Sequence, residues 1–220
     1  MKNKIIIVLI SGVLLTANSC NKATKSVMSP TTPIPVEITP IILPDSFPDT
    51  TSESASDIID NYSNWKIQKK SLGPISIGMD VKEVNTLLSS FKKQNAYAED
   101  FGFSGGSPAY IYSDNNEQIL AIVQTLNNKK VFAIIAISDQ LKTEDGIHPK
   151  MSVAEFLNFY PTMRFFLDPM NGWEYAEELT KDWDFIFTTN SKNRIGVYTQ
   201  PEKSTLPKRT TAINTWITIR

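Results

Sequence analysis

The strongest constraint on how this chain can fold is a ten-residue pattern that it spells twice. Ile75-Ser-Ile-Gly-Met-Asp-Val-Lys-Glu-Val84 is matched 72 residues later by Ile147-His-Pro-Lys-Met-Ser-Val-Ala-Glu-Phe156. In each copy a methionine, Met79 or Met151, precedes a polar residue, Asp80 or Ser152. A glutamate, Glu83 or Glu155, stands three residues further on. That spacing predicts a capping box. The polar side chain accepts from a free N–H of the first helical turn, and the glutamate reaches back to the N–H of the cap. Val84 and Phe156 are placed to fold back on the methionines as hydrophobic staples. One helix-start device used twice predicts a duplicated folding unit. The device makes structure and carries no chemistry, so function has to be sought elsewhere.

The rest of the folded stretch agrees with two similar halves, 65–142 and 143–220. Trp65 and Ile67, then Ile75 and Ile77, alternate with polar residues around Gly73-Pro74 and predict short edge strands. Val81, Val84, Leu87, Leu88 and Phe91 make one apolar stripe of a helix from Val81 to Phe91, with Lys92 and Lys93 in its last turn. Strands are expected at Ala109–Ser113, Gln118–Thr125 and Lys130–Ser138. The run Val131–Ile137 is apolar on both faces, as a central strand covered on both sides would be. In the second half the helix from Val153 stops near Pro161, and Asn171–Trp183 predicts a short helix. Strands follow at Phe185–Thr189, Arg194–Gln200 and Ala212–Ile219. Tyr112–Ile122 and Phe187–Val197 share a hairpin spelling. The fold class expected is α+β. Each half has one or more helices followed by an antiparallel three- to four-stranded meander, with a further strand possible before each helix and the helices packed on the sheet.

Composition narrows the functions. A net charge of −1 gives no reason to expect a nucleic-acid partner. The single cysteine, Cys20, excludes an internal disulfide, and the single histidine, His148, removes most metal sites and triads. Residues 1–19 follow secretory-signal logic: Lys2 and Lys4 at the start, an apolar core from Ile5 to Leu15, then small and polar residues. Residues 21–64 hold six prolines and thirteen serines or threonines, with six acids against two lysines. Proline every few residues from Thr32 to Pro44 blocks ladders and favours extended backbone. At ~3.1 Å per residue such a spacer reaches on the order of 100 Å.

Leu15-Thr-Ala-Asn-Ser-Cys20 resembles the lipobox of bacterial lipoproteins, and Ser19-Cys-Asn-Lys22 resembles its looser form in Bacteroidetes-type bacteria. The resemblance implies cleavage before Cys20, lipidation of Cys20, and a tether spanning 20–64. No acidic run follows Cys20 of the kind that resembles a surface-export signal in that group. The implied location is therefore the outer membrane, facing the periplasm. Asp49-Thr-Thr51 resembles an O-glycosylation sequon of the same bacteria, and Asn61-Tyr-Ser63 matches an N-glycan sequon. Lys142-Thr-Glu-Asp-Gly-Ile147, Met151-Ser-Val-Ala-Glu155 and Tyr160-Pro161 look like a pattern of secreted bacterial proteins of uncharacterised function. Ile75–Val84 is similar to its partner pattern. The layout also resembles β-lactamase-inhibitor-protein-like folds and the small lipoprotein of the outer-membrane barrel-assembly machine. That implies binding of other proteins, without catalysis. Pro149-Lys150 in place of Ile77-Gly78 departs from the pattern.

Candidate chemistry is sparse. Ser89-Ser-Phe-Lys92 and Ser90-Phe-Lys-Lys93 spell the S-x-x-K of penicillin-recognising enzymes. They fall at a helix end, without the partner motifs that the chemistry needs. His148 has no nucleophile elbow to serve. Asp168, Glu174, Glu177, Glu178, Asp182 and Asp184 could supply an acid–base pair, and otherwise read as a solvated acidic face. Aromatic residues crowd the second half. Trp173, Tyr175 and Trp183 are the candidate partner-binding residues, since Trp and Tyr anchor protein interfaces and stack on sugars. No catalytic, cofactor or metal constellation is expected. The reading is a membrane-anchored, non-enzymatic binding or accessory lipoprotein whose partner is an envelope protein or a glycan. The alternatives are a hydrolase using the acidic cluster and a carbohydrate-binding module.

Overall fold

The computed structural model describes residues 61–200 and 203–220. The signal segment, Cys20, nearly all of the proline-rich tether and the Asp49-Thr-Thr51 sequon lie outside the described residues. Asn61-Tyr-Ser63 lies inside them and opens a 3-10 turn, Tyr62–Asn64, with Tyr62 buried.

Twelve strands and two α-helices follow. Strands β1 (Lys66–Gln68) and β3 (Ile75–Ser76) form the predicted edge pieces, and an unpredicted strand, β2 (Ser71–Leu72), lies between them. Strand β8 (Lys142–Thr143) adds to β1 in parallel and completes a small sheet. Helix α1 (Val81–Leu87) leads into β4 (Lys92–Tyr97), β5 (Pro108–Asp114), β6 (Glu117–Gln124) and β7 (Val131–Ala136). Helix α2 (Val153–Phe159) leads into β9 (Phe166–Leu167), β10 (Glu174–Glu178), β11 (Trp183–Phe187) and β12 (Trp216–Ile219). These eight strands make one antiparallel sheet in the order β4-β5-β6-β7-β12-β11-β10-β9. The class is α+β, with sheet dominant. The strands preceding the helices belong to the small sheet, and the extra strand of each run comes after its helix.

The helix starts form as predicted, with one difference. Ser152 accepts from Glu155 N at 3.2 Å, and Glu155 Oε2 accepts from Ser152 N at 2.8 Å, closing the box. Asp80 accepts from Lys82 N at 2.8 Å and pairs with Lys130 at 3.8 Å, a cap held by its carboxylate rather than by Glu83. Each start also docks on the chain just before the end of its strand run. Gly78 N donates to Val131 O, Val131 N to Met79 O and Val81 N to Lys129 O. Lys150 N donates to Asn214 O, Asn214 N to Met151 O and Val153 N to Ala212 O. Lys150 holds φ +67°, close to the +83° of its counterpart Gly78.

Four expectations are corrected. Helix α1 ends at Leu87, and Lys92 and Lys93 begin β4. Six cross-strand partners on β5, and Lys93 Nζ lying 3.6 Å from the Tyr110 ring centroid, favour the strand over another helical turn. Asn171–Trp183 is a turn and the β10–β11 hairpin, not a helix. Asp168 accepts from Met170 N and Asn171 N, which starts a turn, and β10 then pairs with strands on both sides. Arg194–Gln200 makes no strand. The N–H groups of Ile195 and Gly196 are taken by the Glu174 carboxylate and cannot join a ladder. The hairpin spelling of Tyr112–Ile122 therefore has no hairpin counterpart at Phe187–Val197.

One face of the large sheet is buried under both helices and the small sheet. Val84, Val153 and Phe156 share a core there with Leu120, Ile122, Ile134, Phe185, Phe187, Ile217 and Ile219. Phe156 sits 4.6 Å from Phe185, ring centre to ring centre. Strand β7 is central and, apart from exposed Phe132, buried on both sides.

Candidate functional site

Residues directly opposite each other on neighbouring strands share a face. Tyr175 faces Ile186, which faces Trp216; Glu177 faces Asp184, which faces Thr218. These six side chains point away from the helices. Beside them a smaller apolar cluster, Ala109, Ala121, Val123, Ala133 and Ile135, is roofed by Ala98 and Phe101 of the 3-10 turn Ala98–Phe101. Phe101 and Trp173 meet Trp216 edge-on, at 5.8 and 5.1 Å. Gly102 ends the 3-10 turn at φ +84°, and a Cβ there would lie 3.3 Å from the Trp173 ring. The bare backbone lets the aromatic wall close up.

Between this roof and the outer strands lies a cleft of about 300 Å³. Phe101, Phe103, Trp173 and Tyr175 supply its aromatic walls. Asp168, Glu177, Asp184, Thr218 and Arg220 supply its polar groups. Arg220 Nη2 contacts Asp184 Oδ2 at 2.5 Å. Burial raises the Asp184 carboxyl above its ordinary range, and Arg220 opposes that rise. Burial also raises the Tyr175 phenol, with the Glu177 and Asp184 charges adding to the effect. The arrangement can grip a flat or apolar group between aromatic walls while Glu177 and the Asp184–Arg220 pair fix its polar edge.

Two of the three predicted partner residues, Trp173 and Tyr175, are half-buried at this cleft. They sit at a loop-to-strand junction and not at a helix start. Trp183 is elsewhere. It is 4% exposed, on the helix-covered face, and its indole N–H donates to Gln68 O at 3.2 Å. It is core because β11 alternates, placing Trp183, Phe185 and Phe187 inward together.

The acidic residues do not form one solvated face. Glu174 is fully buried and accepts four bonds, from Thr189 Oγ1 at 2.5 Å, Ile195 N at 2.7 Å, Gly196 N at 2.8 Å and Tyr198 Oη at 2.7 Å. Burial and the bond to Glu174 push the Tyr198 phenol up. Glu178 accepts from Thr180 N, Asp182 pairs with Lys69, and Asp168 holds its own turn. Glu174 was not distinguishable in sequence, because nothing marks which of several neighbouring acids turns inward. His148 lies in its loop, with the Nδ1–H donating to Pro149 O at 2.7 Å. Among the described residues no group of three or more His, Cys, Asp and Glu could hold a metal, and no helix is long and apolar enough to cross a membrane.

No family model matches this chain, and no curated protein matches it. Among solved structures, the uncharacterized protein yfeY from Escherichia coli is similar, with 10% sequence identity and a TM-score of 0.48. The match covers 70% of this chain and 99% of that one. Nothing about function follows from that likeness.

Proposed function

We propose that this chain is a membrane-tethered, non-enzymatic binding module of a bacterial envelope. In this reading residues 1–19 direct export, Cys20 carries the lipid, and 20–64 hold the domain off an outer membrane on its periplasmic side. Two acyl chains or more anchor stably, at about 0.8 kcal/mol per buried methylene. The domain is a duplication of 65–142 and 143–220. Support comes from the two helix starts, whose backbone bonds to Val131 and Lys129 are repeated on Asn214 and Ala212, and from the mirrored strand order about β7–β12.

The observation that carries the binding reading is the cleft on the uncovered sheet face, walled by Phe101, Phe103, Trp173 and Tyr175. A protein partner suits it better than a glycan. Sugar stacking calls for aromatic faces presented side by side. Here Trp173 stands edge-on to Trp216, and Tyr175 is stacked on Phe166 at 5.3 Å. The hydrolase reading is left with Glu177 and Asp184 alone, and Asp184 is paired with Arg220, while Glu174, Glu178, Asp168 and Asp182 are each committed to structural bonds.

Affinity capture of the full chain from its own envelope, beside the Trp173→Ala/Tyr175→Ala variant, tests this. The expected result is a partner recovered with the parent and lost with the variant. Identical recoveries would remove the cleft from the proposal. Metabolic labelling with an alkynyl fatty acid tests the anchor separately, with label expected on the parent and none on Cys20→Ser.

A further inference from the structure

A second cleft, of about 390 Å³, lies beside β9 and shares no lining residue with the aromatic site. Three cations line it, Arg194, Lys208 and Arg209, and among the described residues no aspartate or glutamate lines it. The sequence signal is a run from 192 to 209 holding five basic residues against one acid, Glu202. None of the four ion pairs among the described residues involves any of the three cations.

Their placement is held from below. The buried Glu174 carboxylate takes the N–H groups of Ile195 and Gly196 and the Tyr198 hydroxyl, which seats the strip bearing Arg194. Ile195 O then accepts from both Lys208 N at 2.8 Å and Arg209 N at 3.0 Å, which draws the second cation-bearing strip against the first. With four donors on it, Glu174 serves as a foundation rather than as a counter-ion facing the cleft. Arg209 donates to Lys192 O and Arg194 Nη2 lies 3.4 Å from Gly172 O, so both guanidinium groups are oriented by neutral carbonyls. Cations gathered with no carboxylate among the described lining residues repel each other, and an anion relieves that repulsion.

We propose that this cleft binds a phosphate ester. Guanidinium forks meet phosphate oxygens in pairs, and Lys208 adds a point charge. The volume exceeds that of a bare phosphate. Leu167 and Val197 line the remainder, which suits the organic part of an ester. The same chemistry is offered by a soluble phosphate ester and by a phospholipid headgroup. The site is independent of the aromatic cleft and of the partner proposed there.

Calorimetry on the full chain with glycerol phosphate, at constant ionic strength against chloride, supplies one arm. The second is co-sedimentation with phosphatidylcholine vesicles with and without phosphatidylglycerol, using the Cys20→Ser chain so that no lipid anchor carries it down. Saturable binding in the first arm assigns a soluble ester. Sedimentation that requires phosphatidylglycerol assigns a headgroup. In either, Lys208→Gln/Arg209→Gln is expected to weaken binding by roughly tenfold or more, since each charged bond lost removes a substantial part of the affinity. Both side chains are exposed, so the unfolding midpoint of that variant should stay at the parent value. Absence of saturable binding in both arms, or binding unchanged in the variant, overturns the proposal.

Discussion

Glu174 shows how much one residue can decide. Its carboxylate is out of contact with water and is satisfied by four donors drawn from Thr189 to Tyr198. A glutamine keeps the shape but turns its amide nitrogen toward the N–H of Ile195 or of Gly196, which can only donate. Glu174→Gln should therefore cost about 3 kcal/mol, the scale of stranding a buried charge-assisted network. Urea unfolding measures this, and amide exchange should quicken over 189–198 while β7 stays protected. A loss below ~1 kcal/mol would show that the loop holds without the carboxylate. Gly78 is a simpler case. At φ +83° with open space around it, Gly78→Ala adds only backbone strain, about 1–2 kcal/mol. Lys150 bears that same strain at φ +67°, partly offset by its 2.9 Å ion pair to Glu117. Lys150→Gly is accordingly expected to cost less than Gly78→Ala in the same assay.

At the scale of elements, a local signal was readable wherever it belonged to the element alone. Both helix starts were legible because a cap, a glutamate three residues on and an apolar run need no distant partner. Strand β10 was not legible. Its inward positions are Glu174 and Ala176 and its outward ones Tyr175 and Glu177, so polarity runs against the usual alternation. The residual spacing of Trp173, Ala176 and Leu179 then imitates a helix. Strand β4 was hidden for a similar reason, since its pairing with β5 holds it while its own residues are mostly polar and exposed. The α2 cap also sets a pH response. The Ser152 hydroxyl and N–H bonds hold the Glu155 carboxyl below its ordinary value. Its stabilising effect is present above the unfolded carboxyl range and is lost as pH falls through the lower folded value. Stability measured from about pH 6 down to about pH 3 should fall less steeply for Glu155→Gln than for the parent. Parallel curves would remove the box from the acid response.

For the whole molecule, the decisive contact is β7 against β12, Ile134 to Ile219 and Ala136 to Ile217, which makes one sheet of two strand runs. The parallel pairing of β1 with β8 ties the same two regions a second time. Urea unfolding should therefore follow one transition, coincident by tryptophan fluorescence and far-ultraviolet dichroism, and two separated transitions would mean that the runs fold independently. The sequence by itself determined the helix starts, the central apolar strand and the α+β class, because capping and hydrophobic periodicity act over a few residues. Only the tertiary structure decided that Trp173 and Tyr175 share a cleft with Asp184 and Arg220, that Trp183 is core, and that Glu174 is buried. Each depends on which strand lies alongside and which face it presents, and pairing between residues far apart in the chain leaves no mark on either segment alone.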